Sequence, residues 1–80
     1  MVVAKVVIEL KEGVADPEGM NTKKALKLLG WEVEDVKSGK VFEIDFGEDI
    51  TVEEAEKETE EMCKRLLANP VIQTYDIEIK

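Results

Sequence analysis

The sequence predicts an α+β fold: an antiparallel sheet with two helices on one face. Two observations predict it. Three segments alternate apolar and polar residues with period two, and a fourth does so weakly. Between them lie two segments with apolar residues at i, i+3, i+4 and i+7, each with a recognisable start and stop. At 80 residues the chain forms one domain, 1–80.

Residues 2–11 form the first strand. Ala4, Val6, Ile8 and Leu10 share one side, and Lys5, Glu9 and Lys11 share the other. Val3 and Val7 interrupt the polar side, as edge residues or as part of an interface between subunits. After the loop at residues 12–15, Asp16-Pro17 reads as an N-cap followed by proline at the first helical position. The stripe of this helix is Thr22, Ala25, Leu26 and Leu29, and Gly30 ends it. Lys23, Lys24 and Lys27 lie outside, toward the end where the helix dipole favours cations.

Residues 31–37 make a weaker strand, because Val33 and Val36 differ in parity; a bulge reconciles them. Residues 41–46 alternate again, with Phe42, Ile44 and Phe46 inward. The two segments form a hairpin around Ser38-Gly39, the preferred arrangement, or one long strand bent at Gly39. Thr51-Val52-Glu53-Glu54 has the form of a capping box. Ala55, Thr59, Met62, Cys63 and Leu66 then stripe a second helix, which Asn69-Pro70 stops. Tyr75, Ile77 and Ile79 face inward from the last strand. The order β-α-β-β-α-β is the ferredoxin-like arrangement.

Composition narrows the function. A net charge of −8 opposes binding to nucleic acid or to an anionic membrane. No apolar run reaches the roughly 18 residues of a membrane span. The opening residues run directly into a strand, with no signal peptide expected, and one cysteine suits a reducing cytoplasm. A domain this small buries only about 60–65% of its unfolded surface, so contacts with a partner matter to its stability.

Candidate chemistry is sparse. The chain has no histidine. Cys63 sits on the apolar stripe as a core thiol, away from the electropositive setting of a reactive one. Eight acids between residues 48 and 61 read as a solvated helix face, or as a seat for a divalent metal or basic partner. Lys37-Ser38-Gly39-Lys40 lacks the spacing of a phosphate loop. Trp31 either caps the core or anchors an interface. A Cys-x-x-Cys metal carrier and an aromatic-faced RNA binder are excluded by residues the chain lacks. Arg65, the only arginine, lies far from the first loop, where an acylphosphatase would need one.

The series Leu10-Lys11-Glu12-Gly13-Val14, Asp16-Pro17-Glu18-Gly19, Leu29-Gly30, Val36-Lys37-Ser38-Gly39-Lys40 and Leu66-Leu67-Ala68-Asn69-Pro70-Val71-Ile72 covers nearly the whole chain. It resembles the PurS family, the small subunits of phosphoribosylformylglycinamidine (FGAM) synthase. Ala15, Thr22 and Lys37 depart from the family, which usually has a bulky aliphatic, an apolar residue and an arginine there. Lysine at 37 replaces the two-pronged contact an arginine would make.

The resemblance implies a non-catalytic subunit of a cytoplasmic purine-synthesis ligase, with no cofactor of its own. ATP and Mg would belong to the synthetase subunit PurL, and glutamine to the glutaminase subunit PurQ. The chain would join the two and would itself be an oligomer built from dimers. Exposure then assigns self-association to Val3, Val7 and Val41 on the outer sheet face and edges. It assigns the larger subunits to the turn with Lys37, Gly39 and Lys40 and to the helix start from Asp16 to Gly19. The competing reading is a stand-alone metabolite-binding regulatory domain of the ACT type.

Overall fold

In the computed structural model, which describes residues 1–80, β1 (Val3–Leu10) is the central strand of a sheet ordered β2-β1-β3. Both neighbours, β2 (Gly39–Asp45) and β3 (Gln73–Ile79), run antiparallel to it. The register aligns the predicted inward residues. Val6 lies opposite Phe42 and Ile77, and Ala4 opposite Ile44 and Ile79. Ala4, Val6 and Ile8 are fully buried. Alternation alone decided this face, since a slip of one residue would have exposed all three.

Helix α2 (Val52–Met62) covers β1 and β3. Thr51 caps it, its Oγ1 accepting the Glu54 N–H at 3.1 Å. Ala55 and Thr59 point into the core, and the Thr59 hydroxyl donates to the Ala55 carbonyl at 2.7 Å. That bond satisfies the only polar side chain buried with them. At Cys63 the helix widens into a π-turn over Cys63–Leu67, closed by the Ala68 N–H donating to the Cys63 carbonyl at 3.0 Å. In an α-helix two residues five apart point about 140° away from each other. The wider turn instead lets Cys63 and Ala68 join one cluster with Val6 and Ile8. It also turns Leu66, predicted to be inward, out to 83% exposure.

The α+β class holds, as an antiparallel sheet with two helices, but two details are corrected. Residues 31–37 form no strand, so the order is β-α-β-α-β and the sheet has three strands. With Val33 and Val36 on opposite parities the segment never presents one apolar face to a sheet. Neither the hairpin nor the bent strand forms, because β2 begins at Gly39 itself.

The second correction concerns α1 (Pro17–Leu28). Its ends are as predicted. Asp16 caps it with proline at the first position, and Gly30 at φ +103° terminates it. The Gly30 N–H donates to Lys27 O and the Trp31 N–H to Leu26 O, which closes the last turn as a Schellman motif. Yet its only buried residue is Gly19. Of the predicted stripe, Leu26 is half-buried while Thr22, Ala25 and Leu29 are exposed. Trp31, 58% exposed, does not cap the core. So α2 alone covers the sheet, while α1 and the chain returning from it form an arm that stands off the sheet. The radius of gyration is 16.0 Å, against about 12 Å for a compact chain of this length.

Candidate interaction site

The arm is fastened at its base by one side chain. Asp16 accepts the Gly19 N–H at 2.9 Å, the Ser38 N–H at 2.7 Å and the Ser38 hydroxyl at 2.7 Å. The first bond is a helix cap; the other two tie the start of α1 to the start of β2, 22 residues later. Donation from Ser38 N–H and O–H, then from Gly19, holds the Asp16 carboxyl below the ordinary aspartate range. Gly19 is glycine because of close approach: a Cβ there would strike the Val36 carbonyl oxygen and lie 2.6 Å from Asp16 Oδ2. At Gly39 a Cβ would come within 2.6 Å of the Ile8 carbonyl oxygen. Asp16, Gly19, Lys37, Gly39 and Lys40 therefore meet at one place, although they are two separate segments in the sequence. A cleft of about 620 Å³ opens beside them, lined by residues 9–16, Met20 and residues 35–38.

The Ser38 and Val36 contacts had no signal in the sequence beyond the Ser-Gly turn. Spacing rules describe neighbours along an element, and this clasp joins positions 22 apart.

Val3 and Val7 are half-buried and Val41 is exposed, on the sheet face opposite α2. Val7 and Val41 are direct cross-strand partners. Because β1 is central, Val3 and Val7 are not edge residues. The same face carries Glu9, Glu43, Asp45, Asp76 and Glu78 against Lys5 and, opposite Val3, Lys80.

Two titratable groups of the core layer are shifted upward. Burial, then the charge of Glu60, pushes the Cys63 thiol up. The Tyr75 hydroxyl donates to Glu60 Oε1 at 2.8 Å, and that bond, ahead of desolvation, raises its pKa. Exposed apolar side chains are the more unusual feature: Leu28 is 88% and Leu29 72% exposed, with Met20 and Trp31 on the same arm.

A small α+β scaffold with an arm fastened at its base and open apolar surface defines a class: a small domain that presents a surface for contact with other proteins. Comparison with known proteins specifies it. Residues 3–80 match the family model for PurS, phosphoribosylformylglycinamidine (FGAM) synthase. The chain is 62% identical over 76 residues to the Archaeoglobus fulgidus phosphoribosylformylglycinamidine synthase subunit PurS, covering 94% of each. The crystal structure of Methanocaldococcus jannaschii PurS superposes with a TM-score of 0.87 at 44% identity, over 100% of this chain and 96% of that one. A chain of the Thermotoga maritima PurLQS structure shares the fold at 23% identity, with a TM-score of 0.84, over 100% of this chain and 99% of that one. The chain belongs to the PurS family.

Proposed function

We infer that this chain is the small subunit of FGAM synthase and acts in purine biosynthesis as one PurS-like domain spanning 1–80. The synthase converts formylglycinamide ribonucleotide, glutamine, ATP and water to FGAM, glutamate, ADP and phosphate. The glutaminase PurQ releases ammonia, and the synthetase PurL activates the amide oxygen with ATP and Mg and lets ammonia displace it. This chain binds neither nucleotide nor metal; it seats one partner against the other so that ammonia passes without reaching solvent. The setting is the cytoplasm, and no helix here is long and apolar enough to cross a membrane.

One observation carries this reading: family identity extends over essentially the full chain, on a surface equipped for contact rather than chemistry. The clasp with Asp16, Gly19, Lys37, Gly39 and Lys40 is the proposed contact with the larger subunits. The test combines the glutaminase and synthetase of the same source with and without this chain. Glutamine-dependent activity requires it, and ammonia-dependent activity survives its omission. Equal glutamine-dependent rates in both mixtures would remove the bridging role.

The face bearing Val3, Val7 and Val41 is a proposed self-association surface. Its acids repel a second copy, so added salt strengthens association through it by screening. Val7→Glu adds a charge at its centre and lowers the mass in solution. Light scattering checks both outcomes, and an unchanged mass for Val7→Glu assigns self-association elsewhere.

A further inference from the structure

We draw no further inference here: the strongest candidate, the cleft of about 620 Å³ beside the Asp16–Ser38 clasp, belongs to the contact site already described, and its lining of Glu9, Glu12, Asp16 and Asp35 with Lys11 and Lys37 points to no one partner chemistry.

Discussion

Ile8→Ala leaves the isolated chain unfolded at ambient temperature. Eight of 80 residues are buried, and Ile8 has the largest fully buried side chain. It lies at the centre of the sheet, beside Val6, Cys63 and Ala68. Removing this much buried hydrocarbon costs about 2–5 kcal/mol. The total stability of an 80-residue domain is about 4–12 kcal/mol, and so open a structure sits at the low end. Loss of the far-ultraviolet dichroism of the sheet and helices checks the outcome. A cooperative melt within a few degrees of the parent would show that the core is larger than the isolated chain displays. Excess binding partner shifts the equilibrium back toward the fold, because a partner that binds only the folded state stabilises it.

Asp16→Ala frees the arm and leaves the sheet standing. The carboxylate is the sole acceptor for the Ser38 hydroxyl and amide and caps α1. Alanine can replace none of these bonds. Amide exchange at Gly19 and Ser38 rises to nearly the unprotected rate, while Val6 and Ile8 stay protected. Gly19→Ala gives the same pattern by collision with the Val36 carbonyl. The native clasp has a pH dependence of known sign. Its acceptor bonds lower the pKa of Asp16 in the folded state. The clasp therefore contributes fully above the unfolded aspartate value, about pH 4, and is lost as pH falls through the lower folded value. Exchange of the Ser38 amide across that acid range checks the sign. If the arm loosens instead as pH rises through neutrality, Asp16 is not what fastens it.

Much of this was legible from residue order. Alternation in residues 2–11 and 73–79 placed Ala4, Val6, Ile8, Tyr75, Ile77 and Ile79 on one face, because period two is enforced by the pleat itself. Asp16-Pro17, Gly30 and Thr51 marked helix ends, because capping is chemistry between near neighbours. Three features escaped. The π-turn at Cys63–Leu67 adds no residue type that would announce it, so Leu66 was assigned inward and Ala68 was not. At residues 31–37 a bulge can reconcile Val33 with Val36 on paper, but the segment still offers no single apolar face for a sheet to bury. Above all, the stripe on α1 predicts a helix packed on its own sheet, and in the structure only Gly19 of that helix is buried. An apolar stripe gives a helix a face suited to burial, but does not say what that face meets. The turn with Lys37, Gly39 and Lys40 and the helix start from Asp16 to Gly19 belong to one expected contact surface, and the hydrogen bonds that Ser38 donates to Asp16, 22 residues away, are what the sequence does not announce.

The clasp also has a mechanical consequence. Asp16 is a pivot, and the 12 residues of α1 are a rigid lever about 18 Å long. A turn of about 10° at the pivot sweeps the far end through about 3 Å, the width of a hydrogen bond. A small rotation about the clasp is therefore a large displacement at Leu28, so the geometry at Asp16 sets where the far end of the arm lies.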